Sequence, residues 1–277
     1  MKLTGEETAK LEKLCQGFRK DVLKVLHEKQ TGHPGGSLSV CEILSVLYFR
    51  QMRTDAVNPA LPTRDRLVLS KGHAAPMLYR VLAEKGFFPK EELHTLRDFE
   101  TRLQGHPCVL ETPGVDATTG PLGIGLSAAL GMALGLKKDG SDARGYAVLG
   151  DGEIDEGTVW EACMAGVKFQ ADNLCAVLDW NGVQLDGTTE EIMPTGDVKA
   201  KFQAFGWKVF TCDGHDVNAL NDAFDQAKEE KGRPSIILAR TVKGKGVSFM
   251  EGKNIWHGKP VDDTSFAQAM EELGGEE

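Results

Sequence analysis

Five short runs rich in β-branched and apolar residues constrain the fold of this chain more than any other feature. They are Arg66–Ser70, Tyr146–Leu149, Leu174–Asp179, Lys208–Thr211 and Ser235–Thr241, each followed by a turn and a helical pattern. Strands that alternate with amphipathic helices imply βαβ units and a mostly parallel sheet covered on both faces. Ahead of them, Leu11, Leu14, Phe18, Val22, Val25 and Leu26 recur at helical spacing across 6–30. The segment Thr31-Gly32-His33-Pro34-Gly35-Gly36 is expected to break that helix. Ser37 or Ser39 would then cap a second helix over roughly 39–52, with Val40, Ile43, Leu44 and Leu47 on one face. No repeat, low-complexity stretch or Pro/Gly/Ser-rich linker divides the chain. The expectation is one three-layer α/β/α domain over 1–277 with a helical N-terminal lead.

Composition narrows the function. With 41% hydrophobic and 26% charged residues, the chain has the balance of a folded globular protein. Its 32 basic and 41 acidic residues give a net charge of −9, which favours neither nucleic acid nor an anionic membrane as partner. Six scattered cysteines with no CxxC pair read as reduced, buried thiols. The N-terminus carries acids and no apolar core of a secretory signal, and no apolar stretch approaches the roughly 20 residues of a membrane span, so a cytoplasmic location is expected. Glu271, Glu272, Glu276 and Glu277 read as a solvated acidic end.

In open parallel sheets, ligands bind in the crevice beyond the carboxyl ends of the strands, so the residues after each strand carry the chemistry. Gly123–Ala128 fits GxGxxA and opens a helical stretch. A dinucleotide site needs a strand directly before that pattern and an acid ~20 residues on, and residues 108–119 supply neither. Gly150-Asp151-Gly152 directly follows one predicted strand, and Asn181 follows the next. The two side chains can meet in one crevice. A carboxylate, an amide oxygen and a backbone carbonyl suit Mg²⁺, which fills its remaining positions with phosphate oxygens and water, so the site predicts a diphosphate ligand. Gly152 would let backbone N–H groups approach it.

Four of the seven histidines lie in glycine-flanked loops: His33, His73, His106 and His257. His73 follows a strand and should open onto the same crevice. Their spacing excludes a contiguous metal motif, and a cluster that polarises the hydroxyls of a polyol is the better chemical fit.

The segments TGHPGG, SKGHA, QGHP, TTGPLGIG, GDGEIDEG, DWNGVQLDG, DGHD and WHG occur here in this order. Together they resemble the N-terminal, diphosphate-binding half of transketolase over nearly the whole chain. GDG followed by Asn is the thiamine diphosphate signature; the histidine set is what points to transketolase. The resemblance implies that Asp151, the Asn181 side chain and the Val183 carbonyl hold Mg²⁺. It places His73, Gly120, Pro121, Leu122, Gly152, Glu156, Asn181 and His257 against thiamine diphosphate. It lines the sugar site with His33, His106 and His257, of which His33 and His257 would assist proton removal from the hydroxyl at the bond being cleaved. Glu156 and Glu161 resemble acids of the family's proton network at the subunit interface. The Glu156 position, near a helix start, is also one that the helix dipole favours for any acid.

The implied activity is transfer of a two-carbon ketol unit from a ketose phosphate to an aldose phosphate, as in the pentose phosphate pathway, with the cofactor as electron sink. In the family, the glutamate that activates the cofactor comes from a second, pyrimidine-binding domain, as do basic residues for the sugar phosphate. That domain is expected on a separate C-terminal subunit, in an α₂β₂ assembly. The remaining alternatives are one chain of a 2-oxoacid dehydrogenase, a deoxyxylulose-phosphate synthase and a non-catalytic cofactor-binding module.

Overall fold

The computed structural model describes residues 2–275. Its centre is a sheet of β1 (Arg66–Leu69), β2 (Gly145–Gly150), β3 (Leu174–Trp180), β4 (Lys208–Asp213) and β5 (Ser235–Arg240), in the order β1-β2-β3-β5-β4 and parallel throughout. All five expected strands are present, with boundaries within two residues of the sequence reading. Strand residues alternate between two apolar layers. Leu67, Leu69, Tyr146, Val148, Cys175, Val177 and Ile237 face one; Val68, Ala147, Leu149, Ala176, Leu178, Ile236 and Leu238 face the other.

The first layer is covered by α1 (Gly5–Lys29), α2 (Pro34–Ser39), α3 (Cys41–Val46), α4 (Ala75–Glu84) and, later in the chain, by α9 (Val217–Glu229) and α10 (Asp263–Glu272). The second is covered by α5 (Ile124–Lys138), α6 (Gly157–Lys168) and α8 (Val198–Ala204). The short α7 (Thr189–Ile192) lies in the loop after β3 and opens with a capping box between Thr188 and Glu191. A capping box of Thr4 and Glu7 likewise opens α1, and Gln30 in the left-handed region (φ 48°) ends it.

One sequence expectation needs correction. The TGHPGG segment is not a break running to Ser37, because α2 already starts at Pro34 with His33 as its N-cap. Proline is tolerated at a first helical position, where its missing N–H has no partner to lose. The two glycines serve packing instead of a turn. A Cβ on Gly35 would lie 2.9 Å from the Trp256 carbonyl oxygen, and one on Gly36 2.9 Å from His73 Nε2. The expected helix over 39–52 is α3 running into a π-helical turn at Leu47–Gln51. Among the described residues no strand lies directly before α5: residues 96–123, between the turn at Lys90–Thr95 and α5, carry none.

Cys15, Cys41, Cys163 and Cys175 are buried thiols, whereas Cys108 and Cys212 are partly exposed. Glu271 and Glu272 belong to α10, where Glu272 accepts from Ser248. Glu276 and Glu277 lie outside the described residues. Among the described residues no helix is long and apolar enough to cross a membrane.

The close seat of α5 on β1 gives a paired test. A Cβ at Gly125 would lie 2.7 Å from the Ser70 Cα, whereas one at Gly131 on the exposed side of the same helix meets nothing. Gly125→Ala should destabilise the fold by about 1–3 kcal/mol through overpacking. Gly131→Ala should stabilise it by about 0.5–1 kcal/mol through helix propensity. Urea unfolding of both variants reads the opposite signs.

Candidate active site

The carboxyl ends of β1, β2, β3 and β5 frame one cavity of about 260 Å³. Its wall includes His33, His73, His106, Gly120, Leu122, Asp151, Gly152, Asn181, Val183 and His257. Ten of the residues singled out from sequence thus meet in one place. A larger cleft of about 500 Å³ near Arg64 and Arg66 contains no histidine, and both arginines are committed to Asp116. Size alone does not locate the chemistry. Pro121, Glu156 and Glu161 do not reach the cavity wall. Pro121 is exposed between two residues that do, Glu156 is the exposed N-cap of α6, and Glu161 lies on the outer side of that helix.

The four imidazoles form a close group. Ring centroids are 5.5 Å apart for His33 and His73, 5.6 Å for His33 and His257, 4.8 Å for His73 and His257, and 6.2 Å for His33 and His106. Each comes from a different loop, and each loop is tied down. Tyr79 donates its hydroxyl to the Gln104 and His106 carbonyls, and Gly244 N–H donates to the Gly35 carbonyl at 3.0 Å. Burial, with nearby positive charge, keeps the rings neutral. His33 is lowered to about 4 by burial, then by Arg97 and its neighbours, and His257 to about 3 by burial and Lys243. Burial and Lys71 lower His73; burial and Arg97 lower His106.

Opposite the histidines, β2 and β3 are paired with Gly150 beside Asp179, which brings Asp151 and Asn181 to adjacent strand ends. Asp151 accepts from Gly182 N–H and from Gly152 N–H. Asn181 Nδ2 faces Asp179, leaving Oδ1 toward the Val183 side, where it accepts from Val183 N–H at 3.1 Å.

Several residues escaped the sequence reading. Lys243 Nζ lies 3.0 Å from the Val183 carbonyl and 2.8 Å from His257 Nδ1, so one ammonium joins the two halves of the cavity. Lys71 and Asp179 form a buried ion pair beneath it. Glu153 accepts from Gly123 N–H (2.8 Å), Gly150 N–H (2.9 Å) and Ser70, stapling the glycine-rich loop to the end of β2. Arg97, held at φ 61°, donates to Thr31 beside His33. Lys71, Glu153 and Asp179 each stand inside the quoted motifs, but nothing in sequence distinguishes them from surface charges. Nothing local marks Arg97, and Lys243 stands in a KGKG run that reads equally well as a solvated turn.

The transketolase thiamine diphosphate-binding domain model matches residues 12–277. The chain belongs to that family. A 6-deoxy-6-sulfo-D-fructose transketolase subunit of Clostridium sp. (strain MSTE9) is 46% identical over 97% of this chain and 98% of its own length. An apulose-4-phosphate transketolase subunit of Phocaeicola vulgatus is 39% identical over 95% of this chain and 93% of its own length. Transketolase from Campylobacter jejuni superposes with a TM-score of 0.90 at 32% identity, covering 96% of this chain but 43% of that one. The chain therefore spans less than half the length of the solved transketolase that it matches, while matching the two relatives named as subunits almost end to end. The 2-oxoacid dehydrogenase and deoxyxylulose-phosphate synthase alternatives give way to transketolase.

The cavity suits the family's thiamine diphosphate. His33 Nδ1 and Gln184 Nε2 are buried in its wall without a hydrogen-bond partner, and buried polar groups of that kind call for a ligand. Asp151 shows a matching demand for a cation, since burial and the nearby Asp179 charge raise it to about 6.

The neutral histidines predict a pH effect on the free chain. Their folded values lie below the ordinary 6.5, so the unfolded chain takes up protons first. The stability that they confer is complete above about pH 6.5 and falls progressively toward about pH 3. Denaturant titrations of the chain and of His33→Asn/His257→Asn over this range should show a flatter acid limb in the double variant.

Proposed function

We propose that this chain is the thiamine diphosphate-binding subunit of a two-subunit transketolase, active with a second chain that carries the pyrimidine-binding domain. The observation that carries the reading is the single cavity in which four neutral imidazoles face Asp151, Asn181 and the Val183 carbonyl. Hard oxygen donors on one side fit Mg²⁺ and a diphosphate; clustered imidazoles on the other fit a polyhydroxylated substrate. The relatives named as subunits support separation of the halves, and an α₂β₂ assembly in the cytoplasm is the arrangement we favour.

Bound thiamine diphosphate supplies the electron sink for cleaving the bond next to the ketose carbonyl. The chain's own residues orient and move protons. Asp151, Asn181 Oδ1 and the Val183 carbonyl hold Mg²⁺. Gly120, Leu122, Gly152 and His73 line the cofactor side, with Lys243 in reach of the diphosphate. With Lys243 donating to His257 Nδ1, His257 keeps its proton on Nε2. His33, with a free Nδ1, stands ready as acceptor for the hydroxyl proton, and His106 completes the sugar wall. Neutral rings are what proton acceptance near pH 7 requires. Pro121 contributes as backbone between Gly120 and Leu122, and Glu156 and Glu161, exposed on this chain, are available to the partner's interface.

The relatives named for sulfo-sugar and apulose 4-phosphate chemistry support a ketose donor carrying an anionic group at its far end, with an aldose phosphate as acceptor. The direct test is ketol transfer by the chain alone, by its candidate partner alone and by the mixture. Turnover only in the mixture supports the reading, and robust turnover by this chain alone overturns it. For the metal side, Asp151→Asn should weaken Mg²⁺-dependent thiamine diphosphate binding at least about tenfold, as expected for loss of a charged ligand. Calorimetric titration measures it.

A further inference from the structure

His215, in the DGHD segment, is a histidine that the proposed chemistry leaves unused. It lies outside the cavity but is largely buried, with 13% side-chain exposure. Its two ring nitrogens have different partners. Nδ1 lies 2.9 Å from Glu42 Oε2, and Nε2 accepts the Val242 N–H at 2.8 Å. An amide N–H can only donate, so Nε2 carries no proton and the proton sits on Nδ1, aimed at the carboxylate.

Glu42 is fixed in turn. Arg19 grips both of its oxygens, at 2.6 and 2.7 Å, and sends a further N–H to the Leu38 carbonyl. Burial works against the Glu42 charge, but Arg19 and His215 hold the carboxyl at about 2. Cys15 and Cys41 lie close enough to Glu42 to suggest a metal cluster. Both carboxylate oxygens are already taken by cationic or N–H donors, which leaves no acid free for a cation.

The two ends of this relay reach the two sides of the histidine group. Leu38 belongs to α2, the helix that His33 caps. Val242 immediately precedes Lys243 and begins the loop that returns to His257. The same two segments touch directly through Gly244 N–H and the Gly35 carbonyl. We infer that His215 is a positioning residue: the Arg19–Glu42–His215–Val242 relay locks the loop bearing Lys243 and His257 against the helix bearing His33. The inference deepens the proposed function, because the loop matters only if Lys243 and His257 serve the cofactor and sugar.

A glutamine amide offers one donor and one acceptor in a similar span, whereas leucine offers neither. The test therefore compares the full chain with His215→Gln and His215→Leu. The first readout is nitrogen NMR of ¹⁵N-labelled histidine, where His215 should show the Nδ1–H tautomer, together with exchange of the Val242 amide. Exchange should speed up in the leucine variant and stay slow in the glutamine variant. The second is calorimetric titration with thiamine diphosphate in Mg²⁺. Affinity should drop about 10–100-fold in His215→Leu, the usual effect of removing an outer hydrogen-bond partner, and largely return in His215→Gln. Unchanged affinity in His215→Leu, or an Nε2–H tautomer, overturns the inference. If His215→Leu does not fold, the tautomer of the unaltered chain and Val242 exchange in the glutamine variant decide. If neither the unaltered chain nor its mixture with the partner chain binds thiamine diphosphate, the functional reading fails while the tautomer and exchange still report on the relay.

Discussion

The site depends on a single buried carboxylate. Asp179 is fully buried in β3 and receives Lys71 from the end of β1, Ser39 from α2 at 2.6 Å, and Thr241 from the end of β5. Asn181 Nδ2 completes the set at 3.3 Å. Three distant pieces of chain, together with the turn that follows β3, converge on two oxygens. A buried charge is costly unless it is paired and its lone pairs are filled, and here both conditions are met. Burial alone would raise the Asp179 carboxyl, but Lys71 and the hydroxyls bring it below the usual carboxylate range. Losing Lys71 would leave an uncompensated charge under the cavity floor, and losing a hydroxyl donor would leave a buried lone pair unfilled, so this arrangement resists drift.

The charge at Asp179 also sets the electrostatics above it. Asp151 is pushed up by burial and by Asp179, while Lys243 is brought down to about 8 by burial and by Lys71. Asp151 and Asp179 thus lie close to the ammonium groups of Lys71 and Lys243, with neutral imidazoles beside them. A divalent cation relieves the crowding at Asp151, and a diphosphate relieves that at Lys243. Paired demands of this kind suit a metal–diphosphate ligand better than either component alone.

Close approach is the second condition. The glycines of TGHPGG let α2 lie against the His73 ring and the Trp256 carbonyl, and Gly125 lets α5 touch the backbone of Ser70. Only with those gaps closed do histidines from four segments gather around His33, whose ring centroid lies 5.5, 5.6 and 6.2 Å from those of His73, His257 and His106. The glycines are visible in sequence, but the role of Gly35 and Gly36 is not. A Pro-Gly-Gly run signals a turn locally, whereas here tertiary contacts demanded small residues inside a helix.

Much of this protein was legible in its sequence. Periodicity gave five parallel strands and the helical lead, because side-chain alternation is a local consequence of burying a sheet on both faces. Strand ends then pointed to Asp151, Asn181 and His73, since ligands in such sheets collect there. Glu153, Lys71, Asp179 and Lys243 were not recovered, because a buried charge looks like any surface charge until its partner is known. Those partners lie 30 to 108 residues away in the chain for Glu153 with Gly123 and Lys71 with Asp179. The sequence by itself determined the layers and which residue types reach the crevice. The tertiary structure alone decided which charges are paired, which imidazoles stay neutral and which loops are locked together, because burial and hydrogen bonding across distant segments set those properties.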